Sequence, residues 1–130
     1  MSGTLAVDKN GPVLADHSSS AISATATSTG VMVGRPGLVR IRQAVTAKTG
    51  TTPTYDVEVQ SSDVSDFASG VVSHGKFSQT TTTLGTKYLM AWVLKSYMRV
   101  IETLGGTSPT YTVKLDLVEP HFMHELTDSA

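Results

Sequence analysis

GTTPTYDVEV at residues 50–59 recurs as GTSPTYTVKL at residues 106–115, and this repeat decides the fold. In each copy Gly and Pro precede a Tyr, after which apolar and polar residues alternate. Tyr55, Val57 and Val59 stand against Asp56, Glu58 and Gln60; Tyr111, Val113, Leu115 and Leu117 form one row of the second copy. A period of two is the pattern of a half-buried strand. The Pro sits just before each strand, where its missing N–H costs no ladder hydrogen bond, and the Tyr begins the buried face. Upstream of the first copy, Val39, Ile41 and Val45 alternate with Arg40, Arg42 and Ala44; upstream of the second, residues 98–103 alternate less cleanly around Arg99. Each copy therefore reads as the return strand of a hairpin, with Arg40 and Arg99 as matching residues. Two equivalent hairpins predict two similar sheets facing each other across one core. Chance reuse of good turn chemistry is the alternative.

Outward from the repeat, residues 21–29 alternate Ser or Thr with Ala or Ile as a weak strand, and GRPG at 34–37 suits a type II turn. Shorter strands are expected near 71–79 and at 88–94. Seven or eight short strands separated by turn residues, with no helical period, predict an all-β chain: a jelly-roll-like two-sheet β-sandwich. It divides into an extended N-terminal arm (1–20), the sandwich (21–119) and a C-terminal tail (120–130).

The chain has 130 residues, the size of one domain. A net charge of −1 with scattered Lys and Arg leaves no footprint for nucleic acid. The absence of Cys removes disulfides, thiolate nucleophiles and Cys-type zinc sites. No apolar run approaches a bilayer span and no signal segment is recognisable, so a soluble protein with no membrane partner is expected. Ser and Thr supply about a quarter of the residues while charged residues supply 16%. A hydroxyl-rich surface suits broad protein contacts, where desolvating charges is costly, or is simply an exposed sheet face.

Candidates for chemistry are few. His121, His124 and Glu125 in HFMHE converge on a metal only if that stretch is helical; otherwise they belong to a solvated tail. Asp63 and Asp66 lack a Gly-centred calcium loop and suit a turn. Ser73 and His74 are adjacent in a strand, so they point to opposite faces and cannot pair. No nucleophile elbow or phosphate loop is present. The expectation is no enzyme, no metal and no cofactor.

Residues 88–94, YLMAWVL, carry the functional reading. Tyr88, Met90, Trp92 and Leu94 share one side of a strand, and Leu89, Ala91 and Val93 the other, so both faces are apolar. One row fills the core. The other meets the N-terminal arm, a loop or another chain; the interface is assigned to Leu89, Ala91 and Val93 with Arg40 and Arg42, and Arg40, Arg42 and Arg99 form a basic stripe facing an acidic partner or are ordinary surface charges of a sheet face. On this assignment Val93→Asp weakens association without unfolding the chain.

VEVQSSD at 57–63 with Phe67, then Tyr88, SYMRV at 96–100 and GGTSPTYTVKLDL at 105–117 resemble the capsid cement, or decoration, proteins of tailed phages, of the jelly-roll kind typified by the Bordetella phage cement protein. The resemblance covers residues 38–118; the arm before Ala21 and the tail from His121 depart from it. It implies a structural virion protein on the outer capsid surface, with the major capsid protein and further copies of itself (homodimer or homotrimer) as partners. A carbohydrate- or receptor-binding β module of a phage tail is the alternative. A glycan-binding sheet displays exposed aromatics, whereas the single Trp lies in the most apolar strand.

Overall fold

A computed structural model of the chain describes residues 10–33 and 36–118. Among these the protein is all-β and its strand pairs are antiparallel: β1 (Asn10–Asp16), β2 (Ala26–Thr27), β3 (Val31–Met32), β4 (Gly37–Ser62), β5 (Val72–Lys76), β6 (Gly85–Val93) and β7 (Tyr97–Val118). Asn10–Asp16, within the expected arm, is strand β1 against β7, with Leu14 in the core. Residues 1–9, Gly34 and Arg35 of the GRPG turn, and the tail with His121, His124 and Glu125 lie outside the described residues.

The two local hairpins do not form. At Gly50 the chain does not turn back; β4 continues as one strand of 26 residues and pairs with β7 from Arg40↔Val118 to Ser62↔Tyr97. The partner of each GT[TS]PTY segment is the other copy. Their bends lie side by side, with Thr51 opposite Thr107 and register shifts on either side. Gly50 and Gly106 take positive φ (114° and 98°), followed in each copy by a left-handed residue before the Pro, Thr52 (45°) and Ser108 (49°). A Cβ on Gly50 comes 2.9 Å from Pro109 Cα, and one on Gly106 meets Thr52 O, so glycine is needed because the opposite backbone is too close.

The bend folds the ribbon over. Tyr55 lies opposite Leu104 and Tyr111 opposite Lys48, seven residues along β4 from Tyr55. A straight ribbon separates them by about 23 Å, yet the two rings stack at 5.0 Å between centroids. Both halves of both long strands therefore share one core: Val39, Ile41, Val45, Val57 and Val59 from β4, and Met98, Val100, Val113, Leu115 and Leu117 from β7.

The repeat extends far beyond the motif. β1 and β5 flank equivalent stretches: Asp16 pairs with Lys114 and Lys76 with Glu58, and the His17 N–H donates to Val113 O (2.8 Å) as Phe77 N–H does to Val57 O (3.1 Å). Ile22 bridges Tyr111 as Thr80 bridges Tyr55. Each β7 partner stands 56 residues beyond its β4 counterpart. β1, β2 with β3, and β4 thus correspond to β5, β6 and β7 about a local two-fold axis. The matching arginines are Arg42 and Arg99, in place of Arg40 and Arg99: Arg42 binds Asp116 and Arg99 binds Gln60, and Gln60 and Asp116 are equivalent positions.

Candidate functional site

β6 pairs with β4 over nine residues without a register shift, from Gly37↔Val93 to Val45↔Gly85. Residues directly opposite in an antiparallel pair share a face. Ala91 opposes Val39 and Leu89 opposes Ile41, both core residues, so this row points inward. Val93 and Ala91 are buried and Leu89 packs against the core. The interface assigned to Leu89, Ala91 and Val93 is therefore on the wrong face. Alternation shows that the two rows oppose each other, but only the pairing with Val39 and Ile41 determines which is inside.

The outward row is Tyr88 (53% exposed), Met90 (47%), Trp92 (62%) and, just past the strand, Leu94 (65%). On β4, Leu38, Arg40 and Arg42 oppose Trp92, Met90 and Tyr88 and widen the strip. The Arg40 guanidinium sits 5.0 Å from the centre of the Tyr88 ring, a cation–π contact worth about 0.5–1 kcal/mol when exposed. Arg42 is committed to buried Asp116 through a fork, Nε to Oδ1 (3.1 Å) and Nη2 to Oδ2 (2.7 Å). These hydrogen bonds hold its pKa above the ordinary value. Arg40 and Arg42 thus fall on the outward face, Arg40 exposed and Arg42 half-buried.

The internal repeat supplies a control. The counterpart of β6 is β2 with β3, running through Ala26, Thr27, Ser28, Thr29, Gly30, Val31 and Met32. There the outward surface is small or hydroxylated except for Met32, which is exposed. Met32, opposite Tyr97, matches Met90, opposite Arg40, so an exposed Met occurs in both halves, whereas β2 and β3 carry no aromatic residue.

Two polar clusters lie elsewhere. Glu102 is opposite Val57 and points into the core. Its Oε2 accepts the Tyr55 hydroxyl at 2.6 Å, and its Oε1 lies 3.1 Å from His17 Nε2. Burial, then the nearby Glu102 charge, pushes the Tyr55 phenol far above its ordinary value. No local pattern in the sequence joins His17 to Glu102. His74 shares a 2.7 Å hydrogen bond with Ser61 Oγ, across the strand pair, and not with Ser73. Ser61 is fully buried, which denies its hydroxyl to any substrate. Asp63 Oδ1 accepts the Ser96 N–H and Asp66 Oδ1 the Ala68 N–H, both as loop caps. Among the described residues no three His, Asp or Glu side chains are grouped to hold a metal ion.

Burial lowers the His74 pKa from its ordinary value of 6.5. The folded state favours the neutral ring, so this contribution is complete above that value and is lost as pH falls through it toward the lower folded pKa. His74→Gln is expected to flatten part of the fall in urea midpoint between about pH 7 and about pH 5. An unchanged pH profile contradicts this role. No family model, curated protein or solved structure matches this chain.

Proposed function

We propose that this chain is a capsid cement, or decoration, protein: a jelly-roll-like two-sheet β-sandwich that docks on the outer surface of an assembled phage capsid and stabilises contacts between neighbouring major capsid subunits. The observation that carries this reading is the outward strip of Tyr88, Met90, Trp92, Leu94 and Leu38, a contiguous exposed apolar surface with two aromatic rings, where the described residues of β2 and β3 expose only Met32 as a large apolar side chain. Contiguous exposed apolar surface marks protein contact. Two strand orders support the jelly roll: β1, second half of β7, first half of β4, β6; and β2 with β3, first half of β7, second half of β4, β5. A protein that binds adjoining subunits only in their assembled spacing stabilises that spacing by mass action. Even if each copy binds with only micromolar affinity, about 8 kcal/mol, linked copies tighten attachment by roughly 10² to 10⁴.

The test compares particles with and without the protein in a thermal genome-release assay. Release is expected at higher temperature when the protein is bound. Equal release temperatures at full occupancy defeat the cement reading. The exposure of Trp92, with Tyr88 four residues away on the same face, also favours a second reading, a carbohydrate- or receptor-binding module, since aromatic faces stack on sugar rings. Glycan-array binding abolished by Trp92→Ala, without capsid binding, selects it.

A further inference from the structure

We infer that Arg40 is the recognition residue of the outward strip, and that it takes an Asp or Glu carboxylate from the surface of the protein on which the strip docks. Residues 37–45 and 85–95, the paired lengths of β4 and β6 with the two residues that follow, hold four of the chain's ten Lys and Arg and none of its eleven Asp and Glu. Three of these four cations are already engaged. Arg42 is forked onto Asp116, Lys95 Nζ lies 3.5 Å from Asp63 Oδ2, and Lys87 donates to Ser78 O, Gln79 O and Thr80 Oγ1. Arg99, the third arginine of the basic stripe, stands on β7, where it donates to Gln60 Oε1 at 2.9 Å with its guanidinium over the Phe67 ring. Arg40 differs. Its contact among the described residues is the Tyr88 ring, which attracts the cation but accepts none of its five N–H donors, and the side chain is exposed. The stripe thus reduces to one available guanidinium, held over the strip by Tyr88.

A protein carboxylate suits that place better than a phosphate polymer. Nucleic acids and anionic lipid surfaces are held by several cations acting together, whereas here one stands among Tyr88, Met90, Trp92 and Leu38. An Arg set among exposed aromatic and apolar side chains is the composition of a protein–protein contact centre, and its planar fork matches a carboxylate through two parallel N–H···O bonds. Docking strips water from the guanidinium. A partner with no carboxylate at that point leaves a desolvated cation unpaired and is rejected for that reason. A second copy of this chain fails the same criterion, because the β4·β6 ribbon has no carboxylate to offer and two β6 strands laid antiparallel about Ala91 set Lys87 beside Lys95. The inference rests on the proposed docking role and adds the residue that selects the partner.

Binding to particles assembled without the protein, in salt from about 50 to about 500 mM, tests it. The affinity of the unaltered chain is expected to fall as salt rises. Arg40→Gln is expected to bind at least ~10-fold more weakly at the low end, with most of that salt dependence gone and its thermal melt unchanged. Arg40→Lys, which keeps the charge but not the fork, is expected to recover part of the affinity. Intact particles whose surface carboxylates have been amidated are expected to hold the unaltered chain no better than untreated particles hold Arg40→Gln; should that variant not fold, the amidated particles decide with the unaltered chain alone. Arg40→Gln that binds as the unaltered chain does at every salt, or full affinity for amidated particles, overturns the inference and leaves the docking role standing. Arg40-dependent binding of a uronic-acid oligomer or of duplex DNA in the absence of particles assigns the guanidinium to another class of ligand and also overturns it. An unaltered chain that ignores particles overturns the docking role, and the inference with it.

Discussion

Val93→Asp is expected to unfold the protein, and Trp92→Asp, one residue away, to leave it folded but, on the proposed docking role, unable to bind particles. Val93 is completely buried beside Gly37 in the β4·β6 ladder and belongs to the central apolar cluster. A carboxylate there loses its water and gains no partner, a cost of about 4 kcal/mol or more. Domains of this size hold only about 5–15 kcal/mol in total, so the cooperative thermal transition is expected to shift far downward or vanish. Trp92 is 62% exposed, and an exposed substitution typically changes stability by about 0.5 kcal/mol or less. Its loss shows in binding, because a large aromatic at the centre of a contact commonly contributes about 2 kcal/mol or more. Circular dichroism melts and particle co-sedimentation separate the two variants. A folded Val93→Asp beside an unfolded Trp92→Asp inverts the assignment of faces.

The strand class, the repeat and the burial of its two tyrosines were legible because period-two alternation and Pro placement are local signals. The pairing was not. Gly50, Thr52 and Pro53 look like a hairpin loop when read alone, since positive φ and a following Pro suit a turn. The same residues also suit a bulged bend, and only the matching bend at residues 106–109, pressed against the first, distinguishes the two. The face of β6 failed for the same reason. Tyr88 to Leu94 is apolar in both rows, and the deciding residues, Val39 and Ile41, lie some fifty positions upstream in a strand that is recognisable but whose partner is not. The match of Arg42 with Arg99 is hidden in the sequence because the register shift after Val45 offsets the spacing by one residue. The Glu102 cluster gave no signal at all: an acidic residue within a strand reads as a solvent-facing position, and His17 approaches it only through the pairing of β1 with β7.

Tyr55→Phe is expected to cost more than Tyr111→Phe, although the two rings occupy equivalent places in the repeat and stack on one another. Truncating either to Ala removes a wholly buried ring and a stacking partner, at about 3–5 kcal/mol. The hydroxyls are not equivalent. Tyr55 donates at 2.6 Å to a carboxylate oxygen of Glu102, itself sealed in the core, and removing the donor strips a buried charge of one of its two described partners. Hydrogen bonds to charged groups are worth about 1.5–3 kcal/mol. Tyr111 donates to the Thr81 carbonyl at 2.9 Å, with Thr80 O at 3.3 Å, on a segment that also bonds Lys87. Thr81 is exposed, so water can replace the lost donor, and the expected cost is about 0.5–1.5 kcal/mol. Urea midpoints of the two Phe variants read the difference directly. If Tyr55→Phe costs no more than Tyr111→Phe, Glu102 is satisfied without the phenol. A double substitution, Tyr55→Phe with Glu102→Gln, then checks the coupling: recovery of part of the single-variant loss is expected, because the neutral amide needs less from the missing hydroxyl than the carboxylate does.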